Sequence, residues 1–558
     1  MDFFPVIVLI KKKIEMKNII RLLFVLLFIA CNDDKGNYDY EEINEVLVEL
    51  ESEYEVKLEK MEYKIQPELS QTLRENKDNL QFTWFYSDKS DNFYGLASID
   101  GKLDTVSRED FAVLAIDPDD ENLKYEHYFR FNVYDKLTGI EYSFNTKVKL
   151  VKPYHGTWTL LHRQDGVTKL ATIEYLGDEP LVCDDAYYKE TGEHLKGEPL
   201  FLGMNFDYIR YYPDANPIFL IATDIPDEAG VYCQWKGFQK KDSLSRMVAP
   251  SYRGEFNFQN VSDFSASMAS GGMCISDGVF YQITTGMKFY KANIASSITG
   301  DTYFSKGNKI SSYFILYDKA QRRYLYYDGS KEEMDYNPNV FNEEKENALN
   351  YQVLPIPVRD LNVKTTDPGR LSADKEVLHI GYGYGDGYFG NCYSLALSEE
   401  KDSCYVYEFS TMGLRYSSYA SFSGFYPVKR PAGFTRESCI ASSVAYNGIV
   451  FYASGNQVYR LDFMQSGGKA TPVYTHPGGK ATCMKFAYSC TPHVYQDFSA
   501  YEHDLTRSLG VVFEMADGTN EFVVLNLSIT GKIAPDGEKW PSLQVYKGLG
   551  EVKDILFL

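Results

Sequence analysis

Asn447-Gly448-Ile449-Val450-Phe451-Tyr452 runs into Ser454-Gly455-Asn456 and out again through Gln457-Val458-Tyr459-Arg460-Leu461. Two short runs rich in β-branched and aromatic side chains flank a glycine turn, the pattern of an antiparallel hairpin. Each run falls well short of the roughly 10–12 residues that mark a helix. Working outward, the same phrase recurs. Upstream, residues 217–223 cross 227–230 to reach 231–235, residues 278–283 cross Thr285-Gly286 to 288–291, and residues 313–317 cross a polar stretch to 324–327. Downstream, residues 511–513 cross Asp517-Gly518 to 521–525. The earliest example is Gly156-Thr157-Trp158-Thr159-Leu160-Leu161, followed by the turn 164–166 and the run 170–173. Phrases return on average about every 50–60 residues, and weak repeats of strand pairs on that scale predict a β-propeller of about seven blades over residues 153–558. A β-helix would repeat over shorter intervals, and no 15-residue window holds a clean helical period.

A different texture fills residues 40–152. Leu80-Gln81-Phe82-Thr83-Trp84-Phe85-Tyr86 alternates strongly, and so do Phe129, Phe131 and Val133 with Arg130, Asn132 and Tyr134. Leu137-Thr138-Gly139 supplies a turn before Tyr142, Phe144, Val148 and Leu150 resume the period of two. Short strands around one mid-strand Trp suit an immunoglobulin-like β-sandwich of the PKD type. No Cys lies inside this stretch, so Trp84 is expected to pack on aliphatic side chains in the absence of an inter-sheet disulfide. The whole chain is therefore expected to be all-β, a sandwich acting as spacer followed by a propeller.

The leader is equally informative. Met16-Lys17 precedes an apolar run over residues 22–30 that stops at Cys31. That run cannot cross a hydrocarbon core, which needs about 20 apolar residues. A basic start, a short apolar centre and a small residue before the cut mark a secretory signal over residues 1–30, with Met16 the expected true start. Phe28-Ile29-Ala30-Cys31 is similar to a bacterial lipobox, with Phe28 where Leu is commoner, which makes Cys31 the expected lipid attachment site. Residues 31–39 then form a tether that begins Asn32-Asp33-Asp34-Lys35-Gly36-Asn37. At 3.3–3.6 Å per residue, about ten residues reach roughly 35 Å from the anchor.

Composition narrows the partners. The chain has 558 residues, 44% hydrophobic, 24% charged and 15% aromatic, and a net charge of −21. Such an acidic chain repels phosphate backbones and anionic headgroups, so no nucleic acid partner is expected and membrane contact is expected through the lipid alone. Eight cysteines other than Cys31 are scattered with no C-x-x-C, so mostly free, buried thiols are expected rather than a zinc ribbon. No H-E-x-x-H, G-x-S-x-G or P-loop occurs, and the His residues are dispersed. Asp117-Pro118-Asp119-Asp120-Glu121 alternates carboxylates but lacks the turn glycine of a calcium loop, and reads as solvated. No catalytic residue, metal or cofactor is predicted. The acidic residues leave one enzymatic alternative open, a carboxylate pair in a propeller mouth acting as a glycosidase or lyase on polysaccharide.

Candidate ligand contacts come from two aromatic stretches. Gly381-Tyr382-Gly383-Tyr384-Gly385-Asp386-Gly387-Tyr388-Phe389-Gly390-Asn391 carries too many glycines for regular structure at low entropic cost, and reads as a loop. Phe422-Ser423-Gly424-Phe425-Tyr426-Pro427 reads as a second loop. Tyr382, Tyr384, Asp386, Tyr388, Phe389, Phe425 and Tyr426 are the expected contacts, because aromatic faces with polar tips suit sugar rings or peptide side chains. The competing reading wedges these rings between neighbouring blades.

Cys31 with its acidic tether, Gly36-Asn37-Tyr38-Asp39-Tyr40, Gly156-Thr157-Trp158-Thr159-Leu160-Leu161 with Asp165-Gly166, and Tyr546-Lys547-Gly548-Leu549-Gly550 together resemble the PKD-like family lipoproteins of Bacteroidota. That resemblance implies an accessory lipoprotein exposed on the outer-membrane surface, partnered with a SusC/SusD-type TonB-dependent transporter that takes up a glycan or peptide.

Overall fold

The computed structural model describes residues 43–557 apart from 58–60, 88–103, 118–123, 152–156, 175–180, 206–217, 235–237, 239, 266–271, 284–287, 311–312, 329–351, 357–366, 386–389, 411–420, 489–504 and 538–540. It divides into two compact units, Met1–Leu150 and Val151–Leu558. Both are β structures; among the described residues one short α-helix, Ala186–Thr191, and four 3-10 turns interrupt the strands.

In the first unit a five-stranded sheet orders Glu53–Lys57, Glu141–Val151, Glu126–Asp135, Leu80–Ser87 and Asp104–Ser107 from edge to edge. Two further strand pairs, Val46–Glu49 with Glu68–Gln71 and Met61–Ile65 with Ala112–Ile116, carry apolar side chains that share its core. Trp84 is fully buried there. It shares a core with aliphatic side chains such as Ile65, Leu80 and Val133, and in addition its ring stacks on Phe131 with centroids 4.4 Å apart and meets Phe129 edge-on. Trp84 and Phe131 are direct partners across the Leu80–Ser87/Glu126–Asp135 ladder, so the period of two that buries one buries the other against it.

The second unit is a ring of seven sheets. Six are consecutive meanders that start with innermost strands Pro199–Asn205, Val261–Ser265, Phe304–Ile310, Glu376–Gly385, Cys439–Ala441 and Lys480–Phe486; five have four strands, and the third adds Asn293–Ile294 as a fifth, parallel to Gln352–Pro355 at its outer edge. These are blades two to seven. Blade one is built from both ends of the unit: Thr157–Gln164, Val167–Glu174 and Leu181–Cys183 from the front, and Glu551–Phe557, which pairs antiparallel with Thr157–Gln164, from the back. Each sheet keeps open edges, and closure belongs to the ring. Innermost strands pack in sequence from blade three to blade seven, then onto Glu551–Phe557, then onto Pro199–Asn205. The circuit is completed at Gly203 in blade two, where a Cβ would lie 2.2 Å from the Phe264 ring of blade three.

The middle strands explain the phrases in the sequence. Tyr313–Asp318 is buried along its whole length and Ile449–Ser454 nearly so, because blades cover both of their faces. Such strands read as continuous apolar runs rather than alternations. Tight turns join them: Asp165 and Gly166 both adopt positive φ (51° and 79°), the mirror-image turn that suits the twist of a two-residue hairpin. Trp158 locks the ring where its ends meet, edge-on to Phe557 of the last strand and to Phe522 of blade seven.

Candidate functional site

Innermost strands are the one class of strand that every blade turns toward the common axis, so charged residues on them converge although they are remote in sequence. Blade three contributes Asp263, blade four Lys306, blade five His379, blade seven Lys485 and blade one Asp554. Asp263, Lys306, His379 and Lys485 keep part of their surface open, whereas Asp554 is 8% exposed.

Three of these groups tie blades together. Asp554 Oδ1 accepts hydrogen bonds from Lys485 Nζ at 2.5 Å and from the Ile555 amide at 2.9 Å, while Oδ2 accepts from the Leu202 amide at 2.9 Å. One carboxylate therefore links blades seven, one and two. Asp263 Oδ2 accepts from the Gly307 amide of blade four at 3.0 Å. His379 Nε2 lies 3.1 Å from Ser442 Oγ, just past the inner strand of blade six. Gly381 makes room for that pair, since a Cβ there would lie 2.3 Å from His379 Nε2 and 2.4 Å from Ser442 Oγ.

The electrostatics follow from position. Burial, then the charge on Lys306, holds His379 down to about 3, so its imidazole is neutral at physiological pH. Burial raises the Asp263 carboxyl despite the opposing pull of Lys306, the Gly307 and Phe264 amides and Lys485. Burial also works against the Lys485 ammonium, but the adjacent Asp554 carboxylate outweighs it and the net shift is upward. Lys485 and Asp263, on blades seven and three, each act weakly on the other's charge. Among the described residues no group of three or more His, Cys, Asp or Glu is placed to hold a metal.

The aromatic candidates are distributed differently from the sequence expectation. Cys31, Asp386, Tyr388 and Phe389 lie outside the described residues, as does most of the 117–121 carboxylate run. Tyr382 and Tyr384 are not in a loop: they end the innermost strand Glu376–Gly385, and Tyr384 is 51% exposed. Residues 422–427 are not a loop either, because Ser421–Lys429 is the outermost strand of the same blade. The two stretches belong to blade five, which the hairpin pattern had passed over. Its glycines serve close approach rather than chain reversal: a Cβ on Gly383 would sit 2.7 Å from the Tyr393 ring. Phe425 and Tyr426, adjacent in sequence, point to opposite faces of the sheet. Phe425 stacks on Tyr405 (5.9 Å, 7°) beside Lys375, whose ammonium sits 4.2 Å from the Tyr405 ring centroid. Tyr426 packs on Phe463 of blade six and donates its hydroxyl to Glu408 Oε2 at 2.9 Å. Phe425 thus packs on the blade-four side of the sheet and Tyr426 on the blade-six side.

Glu408 was not foreseen. It is 7% exposed, accepts from Asn391 Nδ2 at 2.5 Å as well as from Tyr426, and burial raises its pKa. A lone carboxylate inside the otherwise apolar run 404–409 was the available signal. The axial residues carried a similar one in Met484-Lys485-Phe486 and Lys553-Asp554-Ile555, but nothing in one dimension says that they meet.

With this geometry in place, likenesses to known proteins can be set beside it. The PKD-like family model matches residues 31–199. The match spans the sandwich and continues through the three front strands of blade one to the start of blade two. No curated protein matches the chain. Among solved structures, a quinoprotein alcohol dehydrogenase-like protein from Bacteroides thetaiotaomicron is 13% identical, with 94% of this chain and 98% of that chain covered and a TM-score of 0.40. The β-propeller domain of Cps50 from Myceliophthora thermophila is 11% identical over 57% of this chain and 94% of that one, with a TM-score of 0.27. AztD from Citrobacter koseri is 10% identical over 76% and 94%, with a TM-score of 0.31. The propeller architecture of this chain stands on its own strand pairing.

Proposed function

We propose that the protein is a non-catalytic binding subunit, held at the outer-membrane surface by lipid on Cys31, that serves a SusC/SusD-type transporter in the uptake of a glycan or peptide. The observation that carries this reading is the coincidence of two boundaries: the PKD-like match begins at residue 31, the residue that the lipobox-like sequence makes the mature amino terminus. In this reading the sandwich is the spacer and the propeller is the recognition body.

The asymmetry of the propeller supports a binding face. Tight turns such as 165–166, 277–278 and 455–456 close one end of the ring. The strand ends that bracket 206–217, 386–389, 411–420 and 489–504 all belong to the other end, which also holds the exposed Tyr384. In sequence those connections include Phe206, Tyr208, Tyr211, Tyr495, Phe498 and Tyr501, the side chains that recognise planar or ring-shaped ligands.

The deciding experiment compares the wild type with Cys31→Ser in the native host. Wild type is expected in the outer-membrane fraction, labelled by fatty acid and cleaved by protease added to intact cells. The variant is expected unlabelled and soluble. Detergent extraction should co-purify a SusC/SusD-type complex with the wild type. New reducing ends or unsaturated products from a polysaccharide panel would replace the binding reading with the enzymatic one.

A further inference from the structure

Blades two and three leave a cavity of about 570 Å³ between them, at the end of the ring that the tight turns close. That volume lies within the roughly 300–1,000 Å³ of ligand pockets. One wall is the turn 224–229, which joins Ile218–Thr223 to Gly230–Gln234 in blade two, and the other is the connection 245–259 that leads into blade three. The first wall is held in a strained shape. Asp227 and Ala229 adopt positive φ (66° and 57°), and Ser245 clamps the turn, its amide donating to the Glu228 carbonyl at 2.9 Å and its hydroxyl to the Asp227 carbonyl at 2.5 Å. Such strain in non-glycine residues persists only where the surroundings over-determine it, and it gathers at ligand clamps. The second wall is fixed as well: Arg253 is exposed, yet its Nε donates to the Val248 carbonyl at 3.0 Å and its Nη2 to the Arg246 carbonyl at 3.4 Å. Neighbouring charges are already matched, Glu228 with Lys240, Glu255 with Lys291 and Asp242 with Arg246. Among the described residues Asp227 and Arg253 form no ion pair, although both line the cavity. Phe256 and Phe258, with ring centroids 4.6 Å apart, give the same cavity an apolar side. Thr223 also lines it, at 1% exposure and with a buried hydroxyl that has no hydrogen-bond partner. A buried hydroxyl left unpaired is costly unless a ligand completes it.

A guanidinium, a carboxylate and an apolar side in one cavity are complementary to a zwitterion that carries an apolar side chain. We infer that the cavity binds a short peptide with free termini, its carboxylate on Arg253, its ammonium on Asp227 and an apolar side chain against Phe256 and Phe258. A neutral glycan would leave both charges unmatched. The site rests on the reading of the propeller as a recognition body, and deepens it by choosing peptide over glycan. Lipid anchoring and transporter capture are read by other measurements, so the two can fail separately.

The test titrates the full chain with trileucine by isothermal titration calorimetry, alongside its amidated form, its N-acetylated form, free leucine and maltotriose. Saturable binding of trileucine is expected, weakened at least tenfold by either cap, with free leucine and maltotriose weaker still. Arg253→Gln is expected to weaken trileucine at least tenfold and to leave the amidated form unchanged, because the charge that Arg253 meets is already gone. Asp227→Asn is expected to act in the same way toward trileucine and the acetylated form. Asn tolerates the left-handed backbone at that position, so the turn keeps its shape, and a melting temperature near the wild type checks that each variant folds. The inference is overturned if the wild type does not bind trileucine, a result that needs no variant to fold. It is equally overturned if the caps make no difference, if free leucine or maltotriose binds as tightly, or if both variants bind trileucine as tightly as the wild type.

Discussion

Asp135 shows how one buried side chain can govern a hairpin. It closes Glu126–Asp135, is fully occluded, and accepts from Asn79 at 2.7 Å, the Leu137 amide at 3.0 Å, Asn44 at 3.1 Å and Thr138 at 3.0 Å. Burial pushes its pKa up, but these four donors outweigh it and hold the carboxyl at about 2. A depressed carboxylate stabilises the fold fully above its unfolded value near 4, and that contribution is lost as pH falls toward 2. Asp135→Ala is therefore expected to cost on the order of 2 kcal/mol at neutral pH and nothing further at pH 2, read by amide exchange in strand 126–135. Burial also raises the thiols of Cys404 and Cys483 to about 12, and all seven described cysteines are free. Mapped alkylation at pH 8 should leave Cys233, Cys274, Cys392 and Cys404 unmodified until the protein is unfolded. Trp84 as core was legible because its neighbours alternate. Asp263, Lys306, His379, Lys485 and Asp554 were not legible as a group, because ring topology and not sequence distance brings them together.

Strands that lie between two blades were the easiest to read, since a run such as 449–454 is apolar on both faces and ends at a glycine turn. Innermost strands were the hardest. They are short, as in Cys439–Ala441, or polar in the middle, as in Lys480–Phe486, or glycine-bearing, as in Glu376–Gly385. Blade five disappeared from the pattern for the last reason: Gly381 and Gly383 look like loop residues until the side chains that fill their missing Cβ positions are known. Gly381→Ala would set a methyl against His379 and Ser442, and is expected to lower the melting temperature and separate blades five and six, visible as faster amide exchange in Cys439–Ala441. The last strand carries a larger consequence. Phe557 contacts Trp158 and Tyr488, so Phe557→Ala should cost about 3–5 kcal/mol in chemical denaturation by leaving a cavity at the ring's seam.

At the scale of the molecule, the boundary between Leu150 and Val151 leaves every strand of the ring on one side. A fragment spanning 151–558 is accordingly expected to fold with a cooperative thermal transition, whereas one ending at 550 should lack it, a contrast that circular dichroism measures directly. The all-β class and the ring of about seven blades were legible because strand pairs recur and helical periods do not. The closing of blade one by the carboxy-terminal strand was not, since a lone run over 551–557 carries no mark of its partner near residue 160. That closure has a temporal side. Nearly 400 residues separate Thr157–Gln164 from Glu551–Phe557, and a ribosome adding about 5–20 residues each second needs roughly 20–80 s to traverse them. Throughout that interval the nascent ring has a vacant berth beside its first strand, which the chain's own tail must reach before any stray β-edge does. Glu551–Phe557 thus acts as a completion check: a message cut short before it yields a product that never seals.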